Sequence, residues 1–77
     1  MKISPLPLKG AHVFELEPIQ DERGFFARSF CLSELNEMGL GFNIVQQNIS
    51  LNHKRGTLRG LHYQDAPHQE IKIVRCV

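Results

Sequence analysis

The division of NIVQQNISLN, residues 43–52, into an amide-bearing face and a mostly apolar one when read as a strand sets the narrowest limit on how this chain folds. A period of two belongs to an extended strand, whose successive side chains point to opposite faces. Ile44, Gln46, Asn48 and Ser50 share one face, and Val45, Gln47, Ile49 and Leu51 share the other, apolar apart from Gln47. One face is therefore suited to packing, and the other offers amides. The same period predicts strands over HVFEL at 12–16, FFARSFC at 25–31, TLRGLHYQ at 57–64 and IKIVRCV at 71–77. In the 25–31 run both faces carry aromatics, Phe25 on one and Phe26 and Phe30 on the other, so both are expected to be covered. PIQDERG at 18–24, HKRG at 53–56 and DAPHQ at 65–69 are polar and read as loops or turns. Only 33–38 predicts a helix, with Ser33 as N-cap, Glu34 favouring the first turn and Gly39 placed to stop it in a left-handed conformation. Short strands joined by turn chemistry predict an all-β antiparallel sandwich or barrel. A parallel α/β fold would need helices that this pattern lacks.

With 77 residues the chain is at most one domain, read as a single unit over 1–77 without repeats or linker composition. A formal net charge of +1 gives no bulk attraction to nucleic acid or to an anionic membrane. No apolar segment approaches the roughly 20 residues of a membrane span, and Pro5 and Pro7 interrupt the N-terminal stretch before it reaches signal-peptide character. Cys31 and Cys76 are far apart and form no CxxC pattern, which predicts a reduced, cytoplasmic protein. The terminal IKIVRCV reads as a buried strand with no turn or polar tail behind it, so the chain is expected to be the N-terminal part of something longer.

The polar residues on these strands are the candidate site. Gln46 and Asn48 supply amides, His62 a titratable group, and Lys72 a cation on the same strand face as Val74 and Cys76. A cation pointing inward without an obvious acid is costly, and apolar walls with a few convergent polar groups are how small-molecule sites are built. Arg59 and His62 are three apart, so a regular strand would aim them to opposite sides; a β-bulge at Gly60 would turn both inward. The alternative leaves Arg59 at the surface and His62 in a core, bonded to a backbone carbonyl. His53, His62, His68 and Glu70 lie near one another in sequence but lack the tetrahedral register that zinc requires, so no metal site is expected.

The runs DERGFFARSF, QQNIS, GTLRGLHYQ and QEIKIVRC occur in an order that resembles the dTDP-4-dehydrorhamnose 3,5-epimerase family, over about residues 3–77. The resemblance implies a cupin-like jelly roll of which this chain is the N-terminal portion, and a dTDP-4-dehydro-6-deoxy-hexose substrate of the dTDP-L-rhamnose pathway. It implies epimerisation at C3, C5 or both, beside a C4 ketone, with no cofactor. His62 falls on the family's general base and Lys72 on the residue that stabilises the enolate oxygen. Arg59 matches a diphosphate-binding position, and Gln46 and Asn48 match polar positions beside the nucleotide and sugar. Arg23 and Phe26 match positions that reach the nucleotide in the neighbouring subunit, which implies a homodimer. Arg28 departs from the Glu that many members carry there, which bears on base and sugar preference. The family's acid Tyr and the carboxylate that orients its His lie outside the matched motifs, and Tyr63 is not assigned the acid's role. The 77-residue chain alone is therefore expected to be inactive. A non-catalytic sugar-nucleotide-binding cupin and a structural or dimerisation fragment are the competing readings.

Overall fold

A computed structural model describes all 77 residues. They fall into two units, Met1–Gly41 and Phe42–Val77. Its regular structure is mostly strand with one short helix, compatible with an all-β class, and its sheets are two small antiparallel pairs.

In the first unit, β1 (Lys2–Pro5) pairs with β2 (His12–Glu15) in the register Lys2↔Glu15 to Pro5↔His12. Sequence patterning predicts β2 but not β1, because two prolines obscure the N-terminal stretch. Pro5 closes its strand, a position where the missing N–H removes little from a ladder. Lys2 Nζ lies 3.6 Å from Glu15 Oε2 across the pair, and the connection is tied by Leu6 N–H donating to Ala11 O at 2.9 Å.

The polar stretch expected to be a loop at 18–24 instead forms a tight hairpin. β3 (Ile19–Asp21) pairs with β4 (Gly24–Phe26) around Glu22 and Arg23. Three-residue strands are too short for alternation to register, and the turn chemistry of Asp21 through Gly24 masked them. The strand expected over 25–31 stops at Phe26 for a related reason. Ile19↔Phe26 is the last pair, and the next partner residue would be Pro18, which has no N–H to give.

Helix α1 spans Leu32–Glu37 and buries Leu35 completely, the one buried apolar side chain of the chain. Its N-cap is Cys31 rather than the expected Ser33, and no side chain bonds the free amides there. Ser33 Oγ is instead 3.0 Å from Cys31 Sγ. Glu34 occupies the first turn as anticipated. The C-terminus closes as a Schellman motif, with Leu40 N–H donating to Leu35 O at 2.8 Å and Gly39 N–H to Asn36 O at 3.0 Å. Gly39 sits at φ +71°, the left-handed conformation that this closure requires.

The second unit holds turns but no strand or helix, so the strands expected over 43–52, 57–64 and 71–77 are absent. Its apolar side chains stand in solvent, with Ile49 100% and Leu61 99% exposed. Alternation states what a strand would bury, but only a partner's backbone groups make it a strand. The expected turns do form. Thr57 N–H and Oγ1–H both donate to Lys54 O, at 3.3 and 2.7 Å, with Gly56 at φ +80°. His68 N–H donates to Asp65 O at 2.8 Å.

Gly39→Ala is expected to cost about 1 kcal/mol through its backbone alone, since a Cβ there would meet no atom within 4 Å. Urea titration of the helical circular-dichroism signal measures it, and an unchanged midpoint would contradict the assignment.

Candidate functional site

Two of the candidate residues belong to the first unit. The β3–β4 turn places Arg23 at its tip, where Asp21 captures it at three points. Arg23 N–H donates to Asp21 Oδ1 at 2.8 Å, and its Nε–H and Nη2–H donate to Oδ2 at 3.2 and 2.6 Å. The backbone contact is the Asx turn that Asp characteristically forms. The guanidinium, bonded to the carboxylate, holds Asp21 below its ordinary carboxylate pKa. Phe26, the last residue of β4, is exposed along one wall of an open recess lined also by Met1, Glu17, Ile19, Ala27 and Arg28. Charge is concentrated around this recess. The Met1 ammonium donates to Glu17 Oε2 at 2.6 Å, and Arg28 Nη1 donates to Glu34 Oε2 at 3.4 Å. Arg28, the departure noted above, therefore has its charge opposed within its own unit.

Gln46, Asn48, Arg59, His62 and Lys72 belong to the second unit, where all five are exposed. No hydrogen bond joins any of them to another. The turn at 54–57 returns the chain so that Arg59 comes back to residues 51 and 52. Its Nε–H donates to Asn52 Oδ1 and its Nη2–H to Leu51 O at 3.0 Å. Gly60, at φ +123°, interrupts regular strand geometry between Arg59 and His62. That conformation is open to glycine and rarely to other residues. A Cβ on Gly60 would lie 3.5 Å from His62 N and 3.6 Å from His62 Nδ1, so the imidazole packs alongside the glycine. Without a paired strand this is a bend rather than the expected bulge.

Lys72 has the acid that sequence reasoning did not identify. Its Nζ is 3.0 Å from Glu70 Oε1, with both side chains roughly half exposed. Glu70 lies two residues before Lys72, and the same period of two that groups Lys72 with Val74 and Cys76 includes it. Asn52 was also missed, since its role depends on the turn that brings it to Arg59. Both cysteines are free, and the Ser33 hydroxyl lowers the Cys31 thiol pKa below its ordinary value. No group of three or more His, Cys, Asp and Glu side chains is arranged to hold a metal ion, and no helix is long and apolar enough to cross a membrane.

Residues 5–77 match the family model described as dTDP-4-dehydrorhamnose 3,5-epimerase. The enzyme of that name from Shigella flexneri is 47% identical over 66 residues, which cover 84% of this chain and 36% of the relative. The Methanothermobacter thermautotrophicus protein of the same name is 43% identical over 70 residues, covering 91% of this chain and 37% of its own. A Streptomyces niveus dTDP-4-dehydrorhamnose 3-epimerase is 35% identical over 80 residues, covering 100% of this chain and 37% of its own. The chain thus spans little more than a third of the length of these relatives. No solved structure matches it at a significant level.

The Asp21–Arg23 contact has a definite pH dependence. Because the folded pKa of Asp21 is depressed, its contribution is present above the unfolded value, about 3.9, and is lost as pH falls through the folded value. Acidification through that depressed folded value, below the ordinary carboxylate range, should therefore release the Arg23 side chain, whereas Asp21→Asn should weaken the contact at neutral pH, where the wild-type carboxylate is ionised. The Arg23 Nε–H resonance followed by NMR checks both; a resonance unchanged to pH 2 in the wild type would contradict the pairing.

Proposed function

The chain belongs to the dTDP-4-dehydrorhamnose 3,5-epimerase family, and from that premise we propose that the protein inverts C3, C5 or both of a dTDP-4-dehydro-6-deoxy-hexose. The observation that carries this reading is the family match over residues 5–77, which includes every candidate site residue. The reaction needs a base beside a carbon made acidic by the neighbouring C4 ketone. His62 takes the proton, and the electron pair moves onto the ketone oxygen as an enolate. Lys72 stabilises that oxygen, and Glu70, 3.0 Å away, fixes the ammonium's position without occupying all of its donors. Reprotonation from the opposite face inverts the centre. The proton donor and the carboxylate that orients His62 are assigned to a Tyr and an Asp outside this chain's matched motifs.

Binding is divided among the remaining residues. Arg59 holds the diphosphate, and Gln46 and Asn48 address the nucleotide and sugar with amides. Arg23 and Phe26 reach the nucleotide of a neighbouring subunit in a homodimer. The exposure of Phe26 and of Arg23 at a hairpin tip supports that last assignment, since both are available to a second chain. The proposed architecture is one cupin-like jelly-roll domain, in which the exposed alternating segments of Phe42–Val77 pair with strands that these 77 residues do not supply. The free thiols fit a reducing, cytoplasmic setting. No cofactor enters this chemistry.

In the protein at its natural length, His62→Ala should abolish exchange of the C3 and C5 protons into deuterated water while lowering nucleotide affinity little. Lys72→Ala should slow exchange about 100-fold, roughly 3 kcal/mol of lost oxyanion stabilisation, again with little effect on affinity. Proton exchange followed by NMR and binding by calorimetry measure the two separately. Wild-type protein that binds the nucleotide sugar but exchanges no protons would overturn the epimerase reading in favour of a binding cupin.

A further inference from the structure

Arg59 is held along one edge of its guanidinium only. The Nε–H and Nη2–H form the side edge of the group, and these are the donors that Asn52 Oδ1 and Leu51 O accept. The end edge, formed by Nη1 and the second Nη2 hydrogen, has no protein partner. A guanidinium presents its donors as a rigid fork, so fixing one edge fixes the direction of the other. Both acceptors are neutral, an amide and a backbone carbonyl, so they orient the cation without cancelling its charge. This differs from Arg23, which a carboxylate holds, and from Lys72, which pairs with Glu70.

We infer that Asn52 is a positioning residue for the nucleotide diphosphate, locking the side edge of Arg59 so that its free end edge is presented to two phosphate oxygens. The inference rests on the proposed role of Arg59 and extends it to a residue that does not itself touch the ligand. The turn at 54–57 is part of the device. Its two Thr57 contacts to Lys54 O and the positive φ of Gly56 set the return that brings Arg59 to residues 51 and 52. Without Asn52 the arginine keeps its charge but loses one of the two contacts that define its direction, and binding has to restrain rotamers that are otherwise already restrained.

Thymidine diphosphate is the probe, titrated calorimetrically into the protein at its natural length, alongside steady-state kinetics. Asn52→Ala should weaken binding about tenfold and raise KM by a similar factor with kcat unchanged. Asn52→Gln, which keeps the amide oxygen on a longer stem, should recover part of the loss. In an Arg59→Ala background, Asn52→Ala should have no further effect, which a general loosening of the loop would not produce. The Arg59 Nε–H resonance should be protected from exchange in wild type and lose that protection in Asn52→Ala. If Arg59→Ala weakens binding but Asn52→Ala does not, the inference fails while the reading of Arg59 stands. If Arg59→Ala leaves affinity intact, both fail. Equal losses from Asn52→Ala with and without Arg59 would also overturn the positioning role.

Discussion

A strand exists only where another backbone accepts and donates its hydrogen bonds, and this requirement decides how each alternating segment behaves. His12–Glu15 finds Lys2–Pro5 within the Met1–Gly41 unit, and Ile19–Asp21 finds Gly24–Phe26, so both pairs form ladders. The segments at 43–52, 57–64 and 71–77 are longer and richer in apolar residues, yet none is paired. Amphipathic pattern and strand formation are therefore separate properties here. Leaving Ile49 and Leu61 in water forfeits about 1.5–3 kcal/mol of burial for each such side chain. That is a strong thermodynamic demand for a covering surface, and it agrees with a chain that spans little more than a third of its relatives' length.

Where ladders are short or missing, side chains close the turns. The hairpin at Asp21–Gly24 is fastened by the Arg23–Asp21 contacts, and the return at 54–57 by Thr57 together with Arg59. Both devices use an arginine two or more residues along from an oxygen acceptor, but their electrostatics differ. The carboxylate under Arg23 neutralises it locally, and an exposed pair of that kind contributes little stability in salt. Neutral acceptors leave Arg59 with its full field. The two turns thus hold one arginine whose charge is opposed locally and one whose acceptors are neutral.

Much of this was legible in the sequence, and the failures share a cause. Strand β2, the single helix with its Gly39 stop, and the turns at HKRG and DAPHQ follow from local chemistry, and each forms where local contacts suffice. The β3–β4 hairpin was hidden because three residues are too few to display a period, and strand 25–31 was overextended because Pro18 limits its partner rather than the strand itself. Ser33 lost the N-cap to Cys31 by two positions, with its hydroxyl turned to the thiol. Of the site residues, the composition at 59–62 was informative about Gly60, whose φ of +123° does break the alternation between Arg59 and His62. The partners that hold Lys72 and Arg59 were harder to see. Glu70 required applying the period of two backwards from Lys72, and Asn52 required knowing the path of a turn.

Under the proposed epimerase reading, the distribution of partners also bears on how a base and a cation would work together on one substrate. Lys72 arrives with a carboxylate at 3.0 Å, so the pair presents little net charge to a neutral ketone in the ground state. An enolate oxygen developing beside the ammonium changes that balance, because the new negative charge competes with Glu70 for the same donors. The lysine's three N–H groups allow it to serve both at once, where a single donor would have to leave one for the other. Stabilisation that appears only as charge develops is the kind that accelerates a reaction rather than tightening substrate binding. Arg59 is arranged in the opposite sense, held by neutral acceptors and uncancelled from the start; in the proposed role it meets a diphosphate whose charge does not change during the reaction. On the proposed reading, uniform binding would fall to the arginine and differential binding to the lysine, a division set by whether the nearest oxygen is neutral or anionic.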